Sequence, residues 1–288
     1  MNPKVKNRLQ RVIKISISLL LIFYVFTKID WKQVTVLLKT SEPIYLFFAI
    51  VSFALSIGIS VLRFDLFIKN AGIRLDLKNN SRLYLLGMFY NFFIPGGVGG
   101  DAYKTYLLSK SFDKSLKRIG KLVFVERFLG LIAIGFILSV LSLYIKTPYT
   151  YLINLGVFIL ACLITFFVLK LLNQWINAHK KRIYLGFLYS ILIQSSQIIS
   201  LIFILKSFQV LDDYLAYIFI FLVSSILSIF SFAGIGIREA TFYFGASFFA
   251  FNPEISVSIA LIFSLITAMI SSFGILYSFK IIRIQLKN

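Results

Sequence analysis

The sequence is poor in the residues that most enzyme sites and covalent cross-links require. It contains one cysteine, Cys162, and one histidine, His179. A single cysteine cannot form a disulfide within the chain, and a lone histidine in a basic loop supports neither a transition-metal site nor a Ser-His-Asp triad. No glycine-rich loop followed by Lys and Ser or Thr is present, as a nucleotide site would need. We therefore expect no enzyme activity, no metal and no cofactor.

Acidic residues are also scarce. The chain has 11 Asp and Glu against 30 Lys and Arg, a net charge of +19. The bases lie in short blocks between apolar segments and not along one soluble face, which argues against nucleic-acid binding. Such blocks are typical of the cytoplasmic loops of membrane proteins.

Long hydrophobic runs make up most of the sequence. Of the 288 residues, 59% are hydrophobic and 14% are charged, and the mean hydropathy is +0.90. A soluble core of this size does not need so much apolar surface. We predict an all-α polytopic integral membrane bundle, one domain over 1–288. It should have about 6–8 membrane helices and two broken or re-entrant segments, compatible with an inverted repeat. The predicted helices are 15–27, 44–62, 122–145, 150–169, 183–205, 214–232, 240–251 and 255–279.

The basic blocks predict the topology. They lie in 1–14, 63–82, 101–121, 170–182 and the last nine residues, and the positive-inside rule places each of them in the cytoplasm. The run 15–27 resembles the start of a signal peptide but lacks a small-residue cleavage site, so we expect a retained helix. Both termini are predicted to be cytoplasmic.

The stretch NFFIPGGVGGDAYK, residues 91–104, breaks the hydrophobic pattern. Residues 83–100 carry no charge, yet both flanking blocks are basic. If both flanks are cytoplasmic, this segment must enter the membrane and return. Glycine and proline provide the turn, because they accept or impose backbone angles that end a helix. The segment is therefore predicted to be a re-entrant hairpin.

A second break, FAGIGIREATFYFG, spans 232–245. The helix after it, 240–251, is about 18 Å long, too short for a bilayer core of about 30 Å unless the break lies at membrane depth. Helix starts within a membrane present free N–H groups and a positive dipole end, which attract anions. Paired interrupted segments indicate a transporter site near the bilayer midplane. The two breaks are predicted to enter from opposite sides and to meet there.

Two charged couples remain inside the predicted spans, Glu126-Arg127 and Arg238-Glu239. Intramembrane charges are costly and usually have a partner or a polar cavity. Neighbours on a helix point about 100° apart, so cross-pairing of Glu126 with Arg238, or of Arg127 with Glu239, is our hypothesis. The alternative is that the couples only lock helices together or reach the interface.

Three residues of the first break carry further expectations. Asn91 is expected to bond the hairpin backbone or a ligand, and Asp101 is either a helix N-cap or a functional carboxylate. Lys104 is the base that follows the break. The predicted substrate-binding residues are Asn91, Pro95, Gly96, Gly97, Gly99, Gly100, Asp101, Lys104, Glu126, Arg127, Gly234, Gly236, Arg238 and Glu239.

The motifs NFFIPGGVGGDAYK, ERFLGL, LRFDLFIKNAG and FAGIGIREA resemble those of the lysylphosphatidylglycerol synthase transmembrane region family. The resemblance covers nearly the whole chain and implies a flippase-like membrane domain that handles an anionic or aminoacylated lipid or a lipid-linked glycan. It implies functional roles for Asn91, Pro95, Gly96, Gly99, Gly100, Asp101, Arg127, Gly234, Gly236, Arg238 and Glu239. Lys104 departs from the family's usual arginine. The chain ends after its last helix, so we expect no soluble aminoacyl-transfer domain and no synthesis of lysyl-lipid.

With this resemblance, the sequence predicts a bacterial inner-membrane flippase or transporter whose partners are membrane lipids. Lys104, Arg127 and Arg238 are expected to bind a headgroup phosphate. The alternative is a non-transporting scaffold subunit of an envelope lipid or glycan pathway. A homo-oligomer or an envelope-biosynthesis partner fits either function.

Overall fold

A computed structural model describes residues 35, 39, 41–93, 98–144, 151–177, 180–228 and 236–278. Every regular element in these ranges is helical, which confirms the predicted fold class. The helices are α1 Pro43–Ile68, α2 Leu77–Phe93, α3 Gly99–Phe112, α4 Leu116–Leu141, α5 Tyr151–Ile176, α6 Lys180–Ser207, α7 Tyr214–Leu227, α8 Ile237–Phe249, α9 Pro253–Ser272 and α10 Ile275–Ser278. The predicted helix 15–27 lies outside the described residues.

Five helical segments in the described ranges are long and apolar enough to cross a membrane: α1, α4, α5, α6, and α9 with its continuation to Tyr277. Their starts follow the sequence, since proline occupies the first turn of α1 and of α9, a position where its missing N–H costs nothing. Helix α7 is apolar but shorter. The chain is thus a multi-pass helical membrane protein.

Helices α2 and α3 form the first hairpin. Near the break, the Asn91 Oδ1 atom accepts from the Gly100 backbone N–H at 2.8 Å. Further away, the Lys104 ammonium lies 4.8 Å from the centre of the Tyr84 ring. Residues progressively farther from the break therefore face each other, so the two helices are antiparallel. The turn itself, 94–97, lies outside the described residues.

The two arms of this hairpin touch at the backbone. A Cβ atom added to Gly100 would lie 1.8 Å from the Gly87 carbonyl oxygen. No side chain fits at that distance, so the helices can approach this closely only with glycine at position 100.

Hydrogen bonds at one end of the bundle show where the first hairpin begins and returns. Asn70 lies two residues after the end of α1, and its carbonyl oxygen accepts from Arg118 Nη2 in α4 at 3.0 Å. Its amide donates to the Ile176 carbonyl at 3.3 Å, and its side-chain oxygen accepts from Arg182 at 3.0 Å. We call this region the basic end. The predicted hairpin therefore enters and leaves at the basic end; its depth in a bilayer stays a prediction.

Helices α7 and α8 form the second hairpin, at the opposite end. There the Glu42 N–H, before α1, donates to the Ser207 carbonyl at 3.0 Å. Tyr217 near the start of α7 stacks on Phe251 just beyond α8, with ring centres 4.4 Å apart. The two hairpins enter the bundle from opposite ends, as predicted. Their tips, 94–97 and 229–235, lie outside the described residues, so the predicted meeting of the tips is untested.

The order span, hairpin, span occurs twice. In the first half it is α1, the first hairpin and α4; in the second half it is α6, the second hairpin and α9. The first spans of the two halves, α1 and α6, pack along each other. Helix α2 packs against α9, and α7 packs against α4, so each hairpin rests on the last span of the other half.

Cysteine labelling tests this topology. In a Cys162→Ser background reconstituted in vesicles, cysteines at the exposed positions of Arg74 and Lys114, which flank the first hairpin, should react with an impermeant maleimide from the same side. Asp212→Cys, near the start of the second hairpin, should react from the other side. Labelling of positions 74 and 114 from opposite sides would contradict the hairpin.

Close packing of the first hairpin predicts that Gly100→Ala lowers the melting temperature strongly, because α2 and α3 must separate to admit the methyl group. Gly58→Ala in α1 is the matched control, since a Cβ there meets nothing within 4 Å. Thermal unfolding in detergent compares the two. Equal melting temperatures for both variants would argue against the backbone contact.

Candidate functional site

Three helices bring charged side chains into the interior next to the first hairpin. Arg63 comes from α1, Asp101 and Lys104 from α3, and Glu126 and Arg127 from α4. We call these five residues the charged cluster. The structure corrects the predicted location of Arg63, which the sequence analysis placed in a cytoplasmic loop after a helix ending at 62. Helix α1 instead continues to Ile68, and Arg63 is 7% exposed.

Glu126 and Arg63 form a buried ion pair. The Glu126 Oε1 atom accepts from Arg63 Nη2 at 2.7 Å and from Nε at 3.2 Å. Arg63 Nη1 donates to the hydroxyl of Ser190 in α6 at 2.7 Å. One guanidinium therefore ties α1 to α4 and α6. Such a pair persists in the interior because both charges are partnered and hydrogen-bonded.

Asp101 binds the other two cations of the charged cluster, Lys104 and Arg127. Its Oδ1 atom lies 2.9 Å from Lys104 Nζ, and its Oδ2 atom lies 2.6 Å from Arg127 Nε. Asp101 is 8% exposed and Lys104 is 2% exposed. The carboxylate thus links the returning helix of the hairpin to α4.

The Lys104 ammonium is fully occupied by its neighbours. It lies 4.6 Å from the centre of the Phe64 ring and 4.8 Å from that of Tyr84, in addition to its pair with Asp101. Aromatic faces attract cations, most strongly where water is excluded. A headgroup contact by Lys104 would require it to leave this enclosure, so its role in this geometry is to hold Asp101.

Asn91 caps the helix that follows the break. Its Oδ1 atom accepts from the N–H groups of Gly100 and Asp101, at 2.8 and 3.3 Å. The N-cap position is Val98, whose side chain makes no capping bond. The backbone role predicted for Asn91 is confirmed. The N-cap alternative for Asp101 is wrong, because Asp101 lies inside the helix and its carboxylate turns to Lys104 and Arg127.

Arg127 is the accessible member of the cluster. Its side chain is 52% exposed, whereas that of Asp101 is 11% exposed. Three cations and two carboxylates leave one positive charge in excess. Arg127 pairs with Asp101 through Nε, and the rest of its guanidinium belongs to a half-exposed side chain. The excess charge therefore lies on a guanidinium that is held at Nε and is open at its outer edge.

The second break carries its own polar group on α8. The Glu239 Oε2 atom accepts from the Gly236 N–H at 2.6 Å, and its Oε1 atom accepts from the hydroxyl of Ser264 in α9 at 2.8 Å. Gly236 has φ +86°, a left-handed angle that favours glycine. Glu239 therefore closes the start of α8 and fixes it to α9.

Arg238 also lies against α9. Its Nη1 donates to Ser264 Oγ at 3.3 Å, and its guanidinium lies 4.9 Å from the centre of the Phe263 ring. Its Nε is buried and has no hydrogen-bond partner among the described residues.

The predicted cross-pairs do not form. Glu126 pairs with Arg63 and not with Arg238, while Arg127 pairs with Asp101 and not with Glu239. The physical reason is proximity: each hairpin lies on a neighbouring helix that offers a partner within hydrogen-bonding distance. Gly99 and Gly100 open α3, next to Asn91. Pro95, Gly96, Gly97 and Gly234 lie outside the described residues.

The sequence analysis missed Arg63, Ser190 and Ser264 as site residues. A signal for Arg63 was available, since the apolar residues Phe64, Leu66, Phe67 and Ile68 follow it without a helix breaker. The two serines carry no sequence signal, because serine is common in apolar helices. In the described part of the chain, no three His, Cys, Asp or Glu residues come together as a metal site would require.

Comparison with known proteins identifies relatives. A family model described as "Lysylphosphatidylglycerol synthase TM region" matches residues 11–177 and 168–274. A UPF0104 membrane protein of Methanocaldococcus jannaschii is 32% identical over 141 residues, which cover 47% of this chain and 41% of the relative. The chain thus spans less than half the length of this curated relative.

Because Arg63 and Glu126 form a buried ion pair, we expect replacing both to destabilise the fold less than replacing either one. Arg63→Met or Glu126→Leu alone should lower the free energy of unfolding by about 3–5 kcal/mol, because each leaves an unpaired buried charge. The double variant should recover most of that loss. Unfolding of the detergent-solubilised chain gives the double-mutant cycle. Additive losses would show that the two side chains do not interact.

Proposed function

Because the chain belongs to the lysylphosphatidylglycerol synthase TM region family, we propose that it moves an anionic or modified phospholipid, or a lipid-linked precursor, between the leaflets of a membrane. In this proposal it acts as a flippase or transporter and not as an enzyme. Its partners are membrane lipids, and its membrane is the bacterial inner membrane with the basic end in the cytoplasm.

The repeated architecture supports transport. Two hairpins enter the bundle from opposite ends, and each rests on the last span of the other half. The helices of the bundle are therefore interrupted from both ends. Broken helices of this kind place backbone N–H groups and polar side chains at membrane depth. A scaffold subunit needs neither feature.

Arg127 is the single observation that carries the proposal. A half-exposed guanidinium beside apolar helices needs a counter-charge, and Asp101 is already shared with Lys104. A guanidinium binds phosphate through two parallel hydrogen bonds, which the open Nη groups can donate. The phosphate of a lipid headgroup supplies the missing negative charge.

The other residues of the first break then have supporting roles. Lys104 and Asp101 fix the Arg127 side chain at Nε, while Asn91 fixes the start of α3. Arg238, whose Nε lacks a partner in the described residues, is the candidate for a second contact during transport.

A flipping assay tests the proposal. Proteoliposomes with fluorescent phosphatidylglycerol should show lipid movement by the wild type. Arg127→Gln should slow it by about 10- to 150-fold, the rate effect that corresponds to losing a charge-assisted hydrogen-bonded contact of about 1.5–3 kcal/mol. Glutamine keeps a hydrogen-bond donor for Asp101, and the melting temperature of Arg127→Gln in detergent shows whether the hairpin stays fixed to α4.

Arg74→Gln is the matched control, since Arg74 is exposed at the basic end, and it should leave the rate unchanged. A wild-type rate for Arg127→Gln would refute the assigned site. Absence of movement by the wild type with anionic, zwitterionic and aminoacylated lipids would favour the scaffold.

A further inference from the structure

A cavity opens at the basic end, away from the charged cluster. It has a volume of about 570 Å³ and lies between the start of α4 and the end of α5. Its lining includes Lys117, Arg118 and Lys121 from α4 and Trp175 from α5. Cavities of this size are common for small ligands. None of the five members of the charged cluster lines it.

The cavity is electropositive. Positions 117, 118 and 121 follow helical spacing, so the three bases project from one face of α4. No acid is among its described lining residues. The opposite wall is the end of α5, where helix carbonyls would repel an anion. Asn70 removes part of that repulsion, because its amide donates to the Ile176 carbonyl at 3.3 Å.

The cavity also has an apolar side. Trp175 is 45% exposed, and Lys121 Nζ lies 5.0 Å from the centre of its ring. Leu122 and Ile176 are the other apolar residues of the lining. Tryptophan prefers the interface between headgroups and acyl chains. A cationic rim above an apolar wall matches a phospholipid, whose phosphate is attached to hydrocarbon, better than it matches a free phosphate.

We propose that this cavity binds the phosphate of an anionic phospholipid from the leaflet that faces the basic end. Lys117 and Lys121 contact the phosphate, and Trp175 packs on the glycerol and the first methylene groups. Arg118 has a structural role instead. Its Nη2 donates to the Asn70 carbonyl and so fixes the start of α4 at the cavity wall. The site is separate from Arg127 and does not depend on lipid transport.

Tryptophan fluorescence reports directly on the cavity. The chain has two tryptophans, so Trp31→Phe leaves Trp175 as the only indole. The full chain in detergent is titrated with dihexanoylphosphatidylglycerol. Dihexanoylphosphatidylcholine, glycerol 3-phosphate and inorganic phosphate are the comparison ligands. Phosphatidylglycerol should give a saturable change in Trp175 emission at the lowest concentration.

Charge removal should weaken that binding without unfolding the protein. Each base near an anionic lipid contributes about 1 kcal/mol to binding. Lys117→Gln should therefore raise the dissociation constant about fivefold, and the double variant Lys117→Gln with Lys121→Gln should raise it about 30-fold. The control variant, Lys110→Gln with Lys114→Gln, removes two exposed bases outside the cavity and should leave the dissociation constant unchanged. The single variant keeps the Lys121 contact to the ring, so its signal is directly comparable with that of the parent.

Three results would overturn the proposal. Equal affinity for glycerol 3-phosphate or phosphate would assign the site to soluble phosphates, and equal affinity for phosphatidylcholine would remove the need for an anion. An unchanged dissociation constant in the Lys117 and Lys121 variants would place binding elsewhere.

Discussion

The carboxylate of Asp101 is the interaction on which the first half of the molecule depends. It accepts from Lys104 on its own helix and from Arg127 on the next span, at 2.9 and 2.6 Å. Leu83 and Leu108 pack the two arms of the hairpin into the apolar core, and the buried charge pair adds a directional contact that fixes α3 against α4. The same contact leaves the outer edge of Arg127 open. One carboxylate therefore positions both the hairpin and the candidate ligand group.

The two halves repeat an architecture with different chemistry. Each has an acid at the third residue of its returning helix, Asp101 in α3 and Glu239 in α8. Asp101 pairs with cations, whereas Glu239 bonds a backbone N–H and the hydroxyl of Ser264. The charged cluster beside the first hairpin thus has an excess positive charge on Arg127 of α4, whereas Glu239 in the second hairpin accepts from neutral donors. This difference places the proposed lipid contact next to the first hairpin.

The positive charge of the chain is divided between two kinds of location. Within the described ranges, most bases lie at the ends of the helices, where water and anionic headgroups would solvate them. Arg63, Lys104 and Arg127 instead lie among the helices, where Asp101 and Glu126 offset all but one charge. Neutral pairs lock helices together, while an excess charge attracts a ligand.

The fold class, most of the spans and the positions of both breaks followed from the sequence, which left open whether 214–251 forms two spans or a second hairpin. Apolar runs and basic blocks reflect the transfer of single residues between water and lipid, which neighbours alter little. The partners of Arg63, Glu126 and Arg127 did not follow, because they depend on which helices meet. Arg63 looked like a loop residue until α1 proved to continue past it and to face Glu126. Pairing within a bundle is decided by distances of a few ångströms between segments that are far apart in the chain, and only the tertiary structure sets those distances.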